Sequence, residues 1–334
     1  MEELCTAMQD SQKVVRSAPS CFHCLLDEQP GDLVPARLLA KLRTADGGAA
    51  LEANPSYWLA PTGALPAPIA ASAPHVEGLA LDHPIIWLQD TATGMLAPFW
   101  LGPRYSALLA ELTPGQASDT RQLSAEECAV LQAAGVLVTP GELARRSTDT
   151  NEELAHAARA FGRGYATLGD LIHPFHLDAL RRHYREMIRQ GAFMLGDGQS
   201  PRRYIAHNEA VARFFHHQLA GVVSRVAGAP VKPSYTFLAS YLDGAVLPEH
   251  VDRPQCEYSI TLLIDFSPEP ARESPWPIHL HGEHGIVTVH QGIGDALIYR
   301  GRQIPHSRAR LPDGCASTSL LFHYVDESFS KSLD

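Results

Sequence analysis

Two stretches of the second half of the chain have the apolar spacing of amphipathic helices. Large apolar residues recur every three or four positions across residues 174–190, and again after Asn208 up to Gly228. Gly191 and Gly228 follow the last apolar positions and predict the helix ends, and Asn208 is the predicted cap of the second helix. The opposite side of the first helix carries arginines and is predicted to be solvated: Arg181, Arg182, Arg185 and Arg189.

Strand-like runs come after these helices. Residues 235–241 and 258–264 are rich in β-branched and aromatic residues, and residues 315–324 form another such run near the end of the chain. Helices followed by several strands predict an α+β protein with a mainly β core that is backed by helices.

The first half has shorter signals. Residues 1–55 look helical, with breaks at Pro-Gly and Gly-Gly pairs, and Ser124 with Glu127 forms a capping box for a helix that stops at Gly135. Short strands are predicted at residues 85–88, 97–101 and 136–138. These signals predict an N-terminal α+β region.

A polar stretch marks the predicted boundary between two parts. Residues 147–151 read Ser-Thr-Asp-Thr-Asn, and all five carry polar side chains. We therefore predict an N-terminal α+β cap or accessory region over residues 1–146 and a β-rich domain over residues 147–334.

Composition excludes several classes of function. The chain has 334 residues and a net charge of −10, with the acidic excess concentrated in the first 150 residues. An acidic chain without a basic stripe argues against nucleic-acid binding. No apolar run is long enough to span a membrane, and the acidic N-terminus lacks a signal-peptide pattern. The sequence therefore predicts a cytoplasmic protein whose partner is neither a nucleic acid nor a membrane.

His250, Asp252 and His306 are the candidate metal ligands. Residues two apart on an extended strand point to the same side, so His250 and Asp252 can reach one ion, with His306 joining them from a later strand. Two imidazoles and one carboxylate suit Fe(II) and leave coordination positions open. His176-Leu-Asp178 has the same His-x-Asp pattern, but it lies in a predicted helix, where residues two apart do not face each other. A solvated helix surface is the simpler interpretation there.

The surrounding motifs resemble a known family. Tyr241-Leu-Asp-Gly244, His250-Val-Asp252, an apolar strand, Gly294-Asp295-Ala-Leu-Ile-Tyr299 and His306 together resemble the 2-oxoglutarate/Fe(II)-dependent oxygenases, near the prolyl 4-hydroxylase and phytanoyl-type branch, over roughly residues 172–325. The resemblance implies a double-stranded β-helix (jelly roll) with flanking helices. It also implies Fe(II) held by His250, Asp252 and His306, with 2-oxoglutarate and O2 as co-substrates.

The resemblance further implies the type of reaction. Related halogenases carry a small residue in place of the carboxylate ligand, so the intact Asp252 implies a dioxygenase that hydroxylates an unactivated carbon. We expect an amino-acid or peptidyl substrate.

The chain departs from the family pattern at the 2-oxoglutarate anchor. The family has an Arg or Lys at the start of the strand that follows the distal histidine, whereas residues 315–324 contain no basic residue. Arg308 and Arg310 follow His306 at even spacing, and a guanidinium pairs well with a carboxylate. We expect Arg308 to be the anchor and Arg310 to be the second choice. The hydroxyls of Tyr258 and Tyr299 either contact the co-substrate or belong to the core.

Two alternatives remain open. A second histidine cluster, with His279, His281, Glu283 and His290, suggests a cupin-type metalloenzyme, although only one residue separates His281 from Glu283 and a polar hairpin tip is the simpler explanation. The missing basic residue also allows a non-catalytic jelly-roll binding protein whose acidic N-terminal region recruits a partner.

Overall fold

The computed structural model describes residues 22–29, 34–39, 50–72, 75–139, 141–283 and 285–334. Much of the helical structure predicted for residues 1–55 lies outside these ranges. Within them, no helix combines the length and the apolar character needed to cross a bilayer.

The first half combines short helices with two small antiparallel sheets. Its helices are α1 (Ala36–Leu39), α2 (Ala67–Ser72), α3 (Pro103–Ala110) and α4 (Ala125–Ala134), with 3-10 turns at Leu26–Glu28 and Thr120–Gln122. Its strands are β1 (Glu52–Ala53), β2 (Tyr57–Ala60), β3 (Ile85–Gln89), β4 (Leu96–Trp100) and β5 (Leu137–Val138). They pair in the orders β2-β3-β4 and β1-β5. The predicted N-terminal mixture of helices and strands is thus present.

The second half contains three long helices and two larger sheets. The helices are α5 (Glu142–Phe161), α6 (Pro174–Arg189) and α7 (Ala210–Ala227). The strands are β6 (Tyr165–Leu168), β7 (Met194–Leu195), β8 (Arg203–His207), β9 (Val231–Tyr241), β10 (Leu247–His250), β11 (Tyr258–Ser267), β12 (Ile278–Gly282), β13 (Gly285–Val289), β14 (Ala296–Tyr299), β15 (His306–Arg308) and β16 (Ala316–Asp326). One antiparallel sheet has the order β6-β14-β11-β16-β9-β8-β7, and the other has the order β10-β15-β12-β13.

The two sides of strand β11 face different parts of the protein. Ile260 and Leu262 belong to the main hydrophobic core, which also contains the buried sides of α6 and α7. Side chains alternate along a strand, so Ser259 and Thr261 point to the opposite side, toward the four-stranded sheet. The polar residues of this strand therefore lie between the two sheets, where the candidate ligands are found.

A smaller hydrophobic cluster holds the two sheets together. Leu280 on β12 packs in it with Leu297 and Tyr299 on β14. Packing of inward-facing side chains from both sheets is the usual way in which stacked sheets form a common interior.

Ion pairs connect helix α6 to the seven-stranded sheet. Arg181 and Arg185 both donate to the Asp265 carboxylate on β11, at 3.0 and 2.6 Å from their Nε atoms. The helix itself is confirmed, but the prediction of a wholly solvated arginine side is wrong because Arg181 is buried. A buried guanidinium needs such partners to offset its loss of hydration.

The helix ends follow the predicted chemistry with one exception. Ser124 and Glu127 form both hydrogen bonds of the capping box of α4, which ends at Gly135 in the left-handed conformation with φ 82°. Asn208 is not the cap of α7. That position belongs to Glu209, whose carboxylate accepts from the backbone amides of the first turn.

The first and second halves share one hydrophobic core. The Trp87 and Phe214 rings meet edge to face at 6.2 Å, and Gln218 accepts from the backbone amide of Leu96 at 2.8 Å. His176 donates to the carbonyl of Pro98 at 2.6 Å, and both His176 and Asp178 are buried. The interpretation of this His-x-Asp as a solvated surface is therefore wrong, because α6 packs against the first half.

The polar stretch at residues 147–151 lies inside α5. That helix carries polar residues because much of its surface is exposed, and its buried side contributes Leu154, Ala157 and Phe161 to the core. The division into two domains at residue 146 remains a prediction.

Candidate metal centre

His250 and His306 face each other across a pair of antiparallel strands. They are direct partners in the β10–β15 register, and their ring centroids lie 4.3 Å apart. Asp252 follows two residues after His250, and its Oδ1 lies 3.8 Å from His250 Nε2 and 3.6 Å from His306 Nε2. One ligand atom from each of the three lies within 4.8 Å of the other two. The structure brings together all three predicted ligands.

In both histidines, Nδ1 already forms a hydrogen bond. His250 Nδ1 donates to the carbonyl of Pro248 at 2.9 Å, and His306 Nδ1 donates to the carbonyl of Ile304 at 3.1 Å. A backbone carbonyl only accepts, so each Nδ1 is a donor and Nε2 is the nitrogen that each ring offers to a metal. Burial lowers the pKa of His306 and favours the neutral form of that ring.

Ser259 and Gly301 fix the Asp252 carboxylate. Ser259 Oγ donates to Asp252 Oδ2 at 2.8 Å, and the Asp252 amide donates to the carbonyl of Gly301 at 2.9 Å. A side chain at position 301 would overlap Asp252 Oδ2 and come within 2.6 Å of Ser259 Oγ. Glycine is thus required there for the close approach. With Oδ2 held by Ser259, Oδ1 is the oxygen that faces the histidines.

His323 completes a short hydrogen-bond chain behind the carboxylate. Its Nδ1 lies 2.9 Å from Ser259 Oγ, whose own proton is directed at Asp252. His323 therefore donates from Nδ1, and burial lowers its pKa to about 4, which keeps the ring neutral. Asp252, Cys256 and His323 form a second close group of possible ligands. In this group, Cys256 Sγ lies 3.0 Å from the Tyr235 hydroxyl, and His323 Nδ1 is used by Ser259.

We expect Ser259→Ala to weaken Fe(II) binding roughly 10- to 100-fold, because loss of a hydrogen bond to a metal ligand has effects of this size. The measurement is anaerobic Fe(II) titration of purified protein. Ser317→Ala is the matched control, since Ser317 is a buried serine whose hydroxyl has no hydrogen-bond partner in the described ranges. Equal Fe(II) affinity in the two variants would show that Ser259 does not orient Asp252.

A cavity of about 330 Å³ adjoins the three ligands and contains Arg308. The Arg308 side chain is buried and lies over the Trp276 ring at 4.7 Å, and it donates to the carbonyl of Trp276 at 2.7 Å and to Gln291 Oε1 at 3.1 Å. No carboxylate of the described residues pairs with it. Burial lowers the pKa of Arg308, which reflects the cost of a buried cation without an anionic partner.

The remaining predicted cofactor residues divide into two groups. Tyr299 lines the cavity, with its hydroxyl 3.3 Å from His306 Nε2. Tyr258 does not line it, because it points to the opposite side of β11 and packs with Phe161. Arg310 does not line it either, because β15 ends at Arg308 and the alternation stops. The Arg310 side chain is exposed and pairs with Asp313. The expectations for Tyr258 and Arg310 are corrected accordingly.

The side chains of the second histidine cluster do not meet at one site. Leu280 points into the small hydrophobic cluster, so its neighbours His279 and His281 lie on the outer side of β12. His279 contacts Thr288, His281 contacts Ser307 and Glu249, and His290 contacts the carbonyl of Ser274. In the described ranges, neither group of possible ligands includes these histidines. The cupin alternative therefore has no support.

Several functional candidates were missed from the sequence. Inward-facing positions of the large sheet add polar and aromatic side chains to the cavity wall: Arg203, Tyr235, Phe237, Tyr241, Thr261, Ser319 and His323. The alternation of β9 and β16 could have indicated most of them once the inner side was known. A larger cavity of about 760 Å³ lies between the β3–β4 hairpin and helices α5 and α6, and neither of the two close groups of possible ligands in the described ranges lies there.

The donor set suits iron(II). It consists of two imidazoles and one carboxylate on adjacent backbone segments, with an open cavity on the side where further ligands would bind. Both imidazoles and the carboxylate have supporting hydrogen bonds, as metal ligands usually do.

Comparisons with known proteins found similarity only among solved structures. No family model matches the chain, and no curated protein sequence is detectably similar to it. The non-heme alpha ketoglutarate dependent epimerase SnoN from nogalamycin biosynthesis aligns at a TM-score of 0.44 and 14% identity, over 53% of this chain and 84% of the other. A Pseudomonas putida prolyl-4-hydroxylase aligns at 0.44 and 16%, over 52% and 100%. An oxidoreductase of the 2OG-Fe(II) oxygenase family from Burkholderia pseudomallei aligns at 0.41 and 12%, over 51% and 89%. Over about half of its length, this chain is thus similar to solved structures of 2-oxoglutarate/Fe(II)-dependent oxygenases.

Proposed function

We propose that this protein is a 2-oxoglutarate/Fe(II)-dependent dioxygenase that hydroxylates an unactivated carbon of an amino-acid or peptidyl substrate. The observation that carries the proposal is the convergence of His250, Asp252 and His306 beside a cavity that contains a buried arginine, for which the described residues supply no anionic partner. A metal site and a cation for a carboxylate are the two features that bound 2-oxoglutarate requires.

The strand order supports a double-stranded β-helix as the framework of this site. From β9 to β16, successive strands pass back and forth between the seven-stranded and four-stranded sheets, apart from the β12–β13 hairpin, which stays in the smaller sheet. Eight strands in two antiparallel sheets with such crossings are the arrangement of a jelly roll. The ligands come from β10, from the segment after it and from β15.

The roles of the side chains follow from their positions. His250, Asp252 and His306 hold iron(II), and Arg308 binds the distal carboxylate of 2-oxoglutarate through its guanidinium fork. Tyr299 borders the same space, and Leu247 and Ile278 limit the access of water. When bound, iron(II) and 2-oxoglutarate supply the oxidising chemistry that activates O2. One oxygen atom of O2 becomes the substrate hydroxyl, the other enters succinate, and CO2 is released.

The position of Arg308 also argues against the alternative of a non-catalytic binding protein. That alternative rested on the lack of a basic residue at the start of the strand after His306. Arg308 provides a buried cation from β15, two residues after His306, and it lines the same cavity.

The test is visible absorbance of the protein with Fe(II) and 2-oxoglutarate in the absence of oxygen. We expect wild type to show the weak metal-to-ligand charge-transfer band of the chelate and, with oxygen, to form succinate. His306→Ala should lose the band because one of three ligands is gone. His279→Ala is the matched control, since His279 lies on the outer side of β12. A band that survives His306→Ala, or disappears in His279→Ala, would refute the ligand assignment.

A further inference from the structure

The cavity beside the candidate metal centre contains one arginine that forms no ion pair in the described ranges and that the proposed function does not use. Its lining includes Arg203, Arg253 and Arg308. Arg203 pairs with Asp197, and Arg308 is assigned to 2-oxoglutarate. Arg253 has no carboxylate within ion-pair distance in the part of the chain that the structure describes.

The Arg253 side chain is held in a defined position. Its guanidinium carbon lies 4.6 Å from the centroid of the Tyr235 ring, and its Nε donates to the Tyr235 hydroxyl at 3.3 Å. Stacking on the ring and use of Nε leave the two terminal nitrogens as donors for another group. Arg253 also follows Asp252 directly in the chain, and it lines the same cavity as the three candidate ligands.

The residues that line the cavity carry one more positive charge than negative charges. The lining supplies three guanidinium groups and the carboxylates of Asp197 and Asp252. Iron(II) and the 2-oxoglutarate dianion cancel each other. A single carboxylate would therefore balance the charge of the lining.

Part of the cavity wall is apolar. Phe237, Leu247 and Leu321 line the cavity, and Val251, which is 50% exposed, extends this part of the wall to the surface. A ligand that places an anion on Arg253 would therefore lay an apolar segment along these residues.

We infer that Arg253 binds the carboxylate of the substrate, and that the substrate is an amino acid or C-terminal peptide residue with an apolar side chain. The assignment of this ligand as the substrate rests on the proposed function. The contact between Arg253 and an anion does not depend on the proposed function. A guanidinium with two available nitrogens matches the two oxygens of a carboxylate, and a cavity of about 330 Å³ that also admits 2-oxoglutarate has space for only one such residue.

The experiment is calorimetric titration of the anaerobic protein, loaded with Fe(II) and 2-oxoglutarate. The probes are N-acetyl-L-leucine and N-acetyl-L-phenylalanine, each compared with its amide, which differs only in lacking the carboxylate. We expect each amide to bind wild type at least about 10-fold more weakly than its acid. Arg253→Gln should weaken binding of the acid roughly 10- to 100-fold and leave binding of the amide unchanged, and Arg253→Lys should restore part of the loss.

Arg310→Gln is the matched control, because Arg310 is an exposed arginine outside the cavity, and it should bind both probes as wild type does. Retention of the charge-transfer band in Arg253→Gln shows that the variant is folded and loaded. Equal binding of acid and amide to wild type, unchanged acid binding by Arg253→Gln, or no binding of either acid overturns the inference. If wild type lacks the band, the proposed function fails instead, and the same comparison on metal-free protein still decides the role of Arg253.

Discussion

Product formation should fall below detection in Asp252→Ala. Asp252 supplies the only carboxylate among the three converging ligands, and its Oδ1 is the atom that both histidine Nε2 atoms approach. Loss of a direct ligand should lower the Fe(II) affinity by more than the roughly 10- to 100-fold that follows loss of a hydrogen bond to a ligand. The measurements are succinate formation from 2-oxoglutarate and anaerobic Fe(II) affinity.

Glu249→Ala is the control for Asp252→Ala. Glu249 is an exposed carboxylate three positions away, and it pairs with His281 on the outer side of β12. Its loss should leave succinate formation and Fe(II) affinity unchanged. Wild-type turnover by Asp252→Ala would exclude Asp252 as a ligand and would remove the basis of the proposed function.

Arg308→Gln should raise the 2-oxoglutarate concentration required for turnover by about 30-fold or more. Removing one partner of a buried, hydrogen-bonded charge pair costs about 2–5 kcal/mol, and about 1.4 kcal/mol corresponds to a factor of ten in affinity. The measurement is the 2-oxoglutarate dependence of succinate formation. Arg310→Gln should match wild type, because Arg310 is exposed and paired with Asp313.

A stability measurement separates this effect from damage to the fold. Without 2-oxoglutarate, Arg308 is a buried cation with no carboxylate partner in the described ranges, so its replacement removes a desolvation cost. Arg308→Gln should therefore unfold at the same or a higher urea concentration than wild type when no 2-oxoglutarate is present. A large loss of stability, or an unchanged 2-oxoglutarate requirement, would contradict the assignment of Arg308 as the anchor.

The sequence could predict that His250 and Asp252 share one side because this signal is local, whereas His306 comes from a distant strand. His250 and Asp252 are two apart on an extended segment, and alternation alone puts them on one side. The capping box at Ser124 and the glycine ends of α4 and α7 are likewise formed by neighbouring residues. Predictions of this kind need no knowledge of how distant segments meet.

Features that depend on tertiary packing were predicted less well. Arg181 and the His176–Asp178 pair look like solvated positions until the first half and the large sheet are packed against α6. Arg310 has the spacing of an inward residue, but β15 ends two positions earlier. Ser259, Gly301 and His323 were missed because their importance comes from contact with Asp252 across strands. The cytoplasmic location and the division into two domains remain predictions.

The hydrogen bond between Ser259 and Asp252 has a thermodynamic consequence. The two histidines belong to the four-stranded sheet, whereas Ser259 anchors Asp252 to the seven-stranded sheet. An ion held by all three residues would therefore connect the two sheets, in addition to the small hydrophobic cluster between them. Ligands that bind only the folded state stabilise it by mass action, so metal loading and folding would be linked equilibria. The metal would then act as a reversible cross-link between the sheets.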